Sequence, residues 1–198
     1  MAFWTNGEVE PKRNFRFKVE ITSQDNDSAT LWWAKSVNLP SFDVSETEHN
    51  FLDNKFYFPG RVSWNEITLT LVDPISLDAT GRTAGILQKS GYMMKGEAGL
   101  KTISKKKAAG TSSSPLFGFS IIVLDADGAE VERWKLQNPF IKSAKFGDLA
   151  YDNDELKAIE LSIRYDWAIL ESGDGSTVPG KKTYFGIDAE KPEDRTAE

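Results

Sequence analysis

A chain of 198 residues, 39% hydrophobic and 27% charged, is long enough for one domain that buries its core without a disulfide or metal staple. It has no cysteine, which excludes a disulfide framework, cysteine-ligated zinc, iron–sulfur clusters and a thiol nucleophile together. Its 24 basic against 30 acidic side chains leave a net charge of −6, the wrong sign for a grip on phosphate backbones. The single histidine, His49, is almost as restrictive, since any Ser-His-Asp triad must run through it and a multi-histidine metal site is impossible within one chain. No apolar run approaches the ~20 residues of a membrane span. The opening MAFWTNGEVEPKRN has no signal-peptide core.

In chain order, NFRFKVEIT at 14–22 alternates with period two and reads as a half-buried strand, with Phe15, Phe17, Val19 and Ile21 on its inward face. After the polar SQDNDS turn, LWWAKSVNL reads as the returning strand, expected over 31–38 and stopped by Pro40. FDVSETEHN and FLDNKFYFPG follow as two extended runs of weaker alternation, without a strong two-residue hairpin signal. WNEITLTLV restores the clean pattern in a strand expected over 62–72, with Ile67, Leu69 and Leu71 inward, and Asp73-Pro74 ends it. The period then changes, and Ile75, Ala79, Ile86, Leu87 and Met94 place the one expected helix between about 75 and 94.

Residues 95–115 are small, polar and basic, with Lys105, Lys106 and Lys107 in a row, longer than most connections within a domain. Strand character resumes over 117–124 and 131–136, joined by Asp127-Gly128, the best hairpin turn in the chain. A loop is expected from Asn138 to Asp154. A strand over 156–168 follows, with Ile159, Leu161, Ile163, Tyr165 and Trp167 inward. The count is about eight strands and one helix, with no internal repeat. The expected fold is mainly β, an antiparallel two-sheet sandwich or distorted barrel with one flanking helix. Residues 1–170 form its body, and 171–198 a polar, acidic extension whose sizeable apolar groups are Tyr184 and Phe185. Residues 98–114 and 186–198 lack the apolar content to order themselves in a monomer.

Motifs that could carry chemistry fail one by one. Asp125-Ala126-Asp127-Gly128 opens like a calcium loop but lacks the later ligands, and its place in a hairpin explains it. Gly91 and Gly96 have phosphate-loop spacing, yet Glu97 stands where lysine is required. Asp152-Asn153-Asp154 reads as a solvated turn, and the lysine run lacks the interleaved aromatics of a nucleic-acid site. His49 lies in an exposed run with no nucleophile motif. No catalytic, cofactor or metal site is expected. Trp64, Trp134 and Trp167 fall on or beside inward strand faces. Trp32 and Trp33, adjacent on one strand, must face opposite ways, so one lies outside the core, as suits a subunit interface.

Two long stretches carry a resemblance. LWWAKSVNLPSFDVSETEHNFLDNKFYFPGRVSWNEITLTLVDP resembles the first half of the tail tube proteins of contractile-tailed bacteriophages: a strand, a Leu-Pro turn, a protruding hairpin, a Gly-Arg turn and a strand with alternating threonines. LQNPFIKSAKFGDLAYDNDELKAIELSIRYDWAIL resembles that family's closing segment at Pro139 and Phe140, at Asn153 to Glu155 and at Tyr165-Asp166-Trp167. The resemblance, over residues 14–170, implies a two-sheet β fold and hexameric rings stacked into a hollow tube. Such a tube lies within a tail sheath protein, between baseplate and tail-terminator proteins. The viral DNA passes through it without specific binding, in a virion assembled in the host cytoplasm. The lysine-rich loop and the extension past Leu170 depart from the family's shortest members.

On the residues themselves, Ser41–Gly60 is expected to project and to meet another subunit through Phe42, Phe51, Phe56, Tyr57 and Phe58, with Trp32 as a further interface residue. Alternatives of the same fold are a baseplate tube initiator or the tube protein of an injection or secretion machine. From another class, an eight-stranded barrel would carry a small ligand, which requires inner faces that line a cavity.

Overall fold

The computed structural model describes residues 10–23, 28–31, 34–75, 78–92, 102–105, 117–152, 154–172 and 182–186. These hold twelve strands and one helix: β1 (Phe17–Ser23), β2 (Ser28–Leu31), β3 (Ala34–Val37), β4 (Phe42–Phe51), β5 (Asn54–Trp64), β6 (Ile67–Val72), α1 (Ala79–Lys89), β7 (Phe117–Leu124), β8 (Glu130–Gln137), β9 (Phe140–Lys145), β10 (Ala158–Arg164), β11 (Trp167–Ser172) and β12 (Lys182–Tyr184). A six-stranded sheet runs β12-β11-β8-β7-β1-β2 and a four-stranded sheet β3-β6-β10-β9, while among the described residues β4 and β5 pair only with each other. Every pairing is antiparallel. The fold is therefore mainly β with one helix, as the alternation implies, and both large sheets are open rather than closed into a barrel.

The core forms where the inner faces of the two sheets meet. Val19, Phe119, Ile121, Leu136 and Ala168 come from the six-stranded sheet, and Ile67, Leu69, Leu71, Ile159, Leu161 and Ile163 from the four-stranded one. Period-two burial along β10, where Ile159, Leu161 and Ile163 are closed off from solvent, reproduces the pattern read from its sequence. The register brings Phe17–Ser23 against Phe117–Val123, so that segments about one hundred residues apart become central neighbours.

Several expectations are corrected. Residues 31–38 do not make one strand: β2 belongs to the six-stranded sheet and β3 to the four-stranded one, and Trp32 and Trp33, between them, lie outside the described residues. The expected 62–72 strand is broken at Asn65-Glu66, where β5 hands over to β6. β9 occupies six residues of the stretch 138–154 that reads as a loop; its KSAK end carries no large apolar residue because β9 is the edge strand beside β10. The strand expected over 156–168 turns at Tyr165-Asp166, where the Asp166 amide donates to the Gln137 carbonyl (3.0 Å). The chain there leaves one sheet for the other and the alternation resets. Ala168 faces inward in place of Trp167, which is 38% exposed and not core. Phe15 precedes β1 and is exposed, so the inward row begins at Phe17.

The helix is shorter than expected. Asp78, at φ 34°, caps it by accepting from the Gly81 amide (2.8 Å), leaving Ile75 outside and exposed. The chain turns out of the helix at Ser90 and Gly91, with the Tyr92 amide bonded to the Leu87 carbonyl (3.1 Å). Before the helix, Asp73 accepts from the Thr80 hydroxyl (2.6 Å) and Lys157 (2.8 Å). These bonds hold its carboxyl at about 2 despite the opposing effect of burial.

On the far face of the six-stranded sheet, four charges of alternating sign close a ring. Lys18 meets Glu20 (3.3 Å) and Glu130 (2.9 Å), and Arg133 meets Glu20 (3.0 Å) and Glu130 (2.6 Å). The Arg133 bond, against burial and with help from Lys18, holds the Glu130 carboxyl at about 2. Ile122, paired with Lys18 on one side and Arg133 on the other, is fully buried on this outer face beneath their aliphatic stems.

Candidate assembly surface

The described residues contain no group of three or more His, Asp or Glu side chains able to hold a metal. The acidic turn at 125–128 is accounted for locally: the Asp125 carboxylate accepts from the amides of Asp127 (2.9 Å) and Ala129 (2.8 Å), closing the β7–β8 hairpin with Gly128 at φ 82°. Gly96 and Asn153, of the other two motifs, lie outside the described residues. Within the lysine run, Lys105 reaches Asp166 (2.6 Å), which Asn138 also bonds (2.8 Å). Burial pushes the Asp166 carboxyl up, but these bonds outweigh it and leave its pKa below the usual value.

The feature that stands apart is the β4–β5 hairpin. It is longer and more regular than its weak alternation suggests, with nine cross-strand pairs from Phe42↔Trp64 to Phe51↔Asn54. Its turn, Leu52-Asp53, has no glycine or asparagine; Leu52 adopts φ 54° there and is 87% exposed. Halfway along, the pairs shift between Val44↔Val62 and Glu46↔Pro59, and the Ser45 hydroxyl accepts from the Arg61 amide (2.8 Å) across the bulge. A Cβ on Gly60 would lie 2.4 Å from the Ser45 oxygen, so this position admits only glycine without displacement.

Because β5 carries the extra residue, its faces exchange at the bulge. Near the body, Phe42, Val44, Val62 and Trp64 share one face. Toward the tip, that face becomes polar, with Glu46, Glu48, Lys55 and Tyr57, and Glu48 pairs with Lys55 at 2.9 Å. The opposite face at the tip gathers Phe51, Phe56 and Phe58 around Thr47 and His49, the rings being 60%, 48% and 57% exposed.

The structure thus divides the expected interface residues. Phe51, Phe56 and Phe58 come together on one exposed face, Tyr57 lies on the other, and Phe42 sits at the root. Trp32 lies outside the described residues. Three side chains that sequence reasoning left aside join the set. Val44 and Val62 flank the bulge, and Phe185 packs at the root against Phe42 (ring centroids 5.9 Å) and Trp64 (5.7 Å). Alternation in FDVSETEHN hinted at Val44, whereas nothing local in KKTYFG pointed to the hairpin.

The chain leaves and rejoins the four-stranded sheet through two short joints. At the first, the Asn38 side chain stands in for a strand neighbour, accepting from the Thr68 amide (2.7 Å). At the second, the Asn65 amide donates to the Ser41 carbonyl (2.8 Å) while its side chain donates to Asp43 (2.9 Å). Among the described residues this ribbon has no other sheet neighbour, so its edges and one aromatic face are open.

No protein-family model matches the chain, and no curated protein matches it in sequence. Its fold does match solved structures. It superposes on a chain of the six-fold symmetrised anti-feeding prophage baseplate with TM-score 0.62 at 12% identity, covering 83% of this chain and 97% of that one. A chain of the tube-terminating cap of the same particle gives TM-score 0.60 at 15% identity, covering 87% and 100%. A chain of the sheath/tube terminator of PVC, an extracellular contractile injection system, gives 0.59 at 16% identity, covering 83% and 99%. The chain shares the fold of these chains over nearly the full length of each of them, in keeping with the resemblance to tail tube proteins.

Proposed function

We propose that this chain is a structural subunit that assembles with copies of itself into hexameric rings, which stack into the hollow inner tube of a contractile phage tail or related injection particle. The observation that carries this reading is the hairpin, whose tip holds three half-exposed phenylalanines on one face and whose edges pair with no other strand among the described residues. The fold shared with chains of baseplate, cap and terminator assemblies supports it. In this reading the tail sheath protein surrounds the tube, baseplate and terminator proteins close its ends, and viral DNA passes through without specific contacts. The role is structural, not enzymatic, and calls for no cofactor.

A second reading is a tube-initiating or tube-terminating component of the same fold, favoured by the likeness to chains in baseplate and cap structures. Negative-stain microscopy of the purified protein over a concentration series separates them. Stacked tubes support a repeating subunit and isolated rings an end component. A protein that stays monomeric at high concentration refutes both.

A further inference from the structure

We infer that Phe185 is a positioning residue, a wedge through which the strap Lys182–Gly186 sets the direction in which the β4–β5 hairpin projects. The inference rests on the reading of that hairpin as the assembly element. Two short joints, Asn38–Ser41 and Asn65-Glu66, are the hairpin's covalent links to the body. The Asn38 amide donates to the Thr68 carbonyl (3.3 Å) and the Asn65 amide to the Ser41 carbonyl (2.8 Å). These bonds hold the joints to β6 and to each other but leave the hairpin's tilt to side-chain contacts at its root. A two-stranded ribbon joined in this way takes its direction from the packing at its root.

Phe185 is placed to grip it. Its ring meets Phe42 of β4 edge-on and Trp64 of β5 at 85°, and on its other side lies nearly parallel to Trp134 of β8 (6.4 Å, 18°). One side chain therefore touches both strands of the hairpin and the six-stranded sheet. Trp64 in turn packs against the buried Tyr165 (6.0 Å), which fixes the far side of the root. The strap is anchored by three β11–β12 pairs, Leu170↔Tyr184, Glu171↔Thr183 and Ser172↔Lys182, so that β11 crosses the 170/171 boundary expected from sequence.

Two further features separate a wedge from ordinary packing. Phe185 adopts φ 61°, a left-handed conformation that a large residue takes when its surroundings over-determine it. It is also half exposed and stands apart from the buried core cluster, so the body is complete without it.

The test is amide hydrogen exchange of the full chain, dispersed at low concentration, for the wild type, Phe185→Ala and Phe185→Tyr. Loss of the ring contacts should speed exchange across residues 42–64 by about tenfold. Exchange of β10 should not change, and tyrosine, which keeps the ring, should restore the wild-type rate. Unchanged hairpin exchange in the alanine variant overturns the inference. So does an equal rise in β10, which would make Phe185 a general stability residue, or failure of tyrosine to restore protection. Sedimentation of the same proteins at assembling concentrations reads the consequence: the alanine variant should need a several-fold higher concentration, and assembly at the wild-type concentration overturns the positioning role. A wild type that never assembles refutes the proposed function, while exchange still decides whether Phe185 holds the hairpin.

Discussion

Replacing Phe56 and Phe58 together with serine separates an assembly surface from a folding core. In the isolated chain these rings are 48% and 57% exposed, so about half of each remains to be buried by a partner. Full burial of a phenylalanine side chain stabilises by about 1.5–3 kcal/mol, so the remaining half contributes about 0.7–1.5 kcal/mol per ring and about 1.5–3 kcal/mol per hairpin. At 1.4 kcal/mol per factor of ten, the concentration needed for assembly should rise by roughly 10- to 150-fold. Neither ring belongs to the core cluster, so the monomer should melt almost as the wild type does. Sedimentation of a dilution series measures the first quantity, and thermal unfolding followed by circular dichroism the second. Assembly of the double variant at the wild-type concentration refutes the placement of the interface. Unfolding of the monomer shows instead that the rings support the domain itself.

Other predictions follow from the body and from the bulge. Leu161→Ala empties the middle of β10, where the side chain is 1% exposed, and should lower stability by about 3–5 kcal/mol in urea denaturation; a loss below about 1 kcal/mol would show the inter-sheet core to be loosely packed. Asp73 and Glu130 titrate near 2 when folded against ordinary values of 3.8 and 4.5. Folding lowers both, so the stability they contribute is full above about pH 4.5 and is lost as pH falls toward 2. The Asp73→Asn and Glu130→Gln variants should therefore show a shallower fall in urea midpoint over that window, and curves parallel to the wild type would contradict the assignment. Gly60→Ala drives a methyl group into the Ser45 hydroxyl and should loosen the hairpin while the body stays intact. Amide exchange that rises across 42–64 alone is the expected result, and unchanged exchange there would show that the bulge relaxes freely.

Local alternation was enough to place β1, β6, β7, β8 and β10, because a half-buried strand writes its two faces into successive residues. Ile67, Leu69 and Leu71 of β6 and Ile159, Leu161 and Ile163 of β10 are buried as the pattern demands. Asp127-Gly128 marked its hairpin for the same reason: a tight turn needs particular residues at particular positions. The absence of cysteine and the single histidine narrow the chemistry whatever the fold. β9 was invisible because an edge strand with one working neighbour need not alternate, and the hairpin was under-read because its faces exchange at Gly60 and its turn uses Leu52. Alternation carried on past Tyr165 puts Trp167 inward, whereas the chain changes sheets at Asp166 and the count begins again. The pairing of β1 with β7, that of β3 with β6 and the seat of Phe185 on the hairpin root all join segments far apart in the chain. Such choices are made by which faces can be buried together once the whole chain has collapsed, and no window of sequence contains both halves of them.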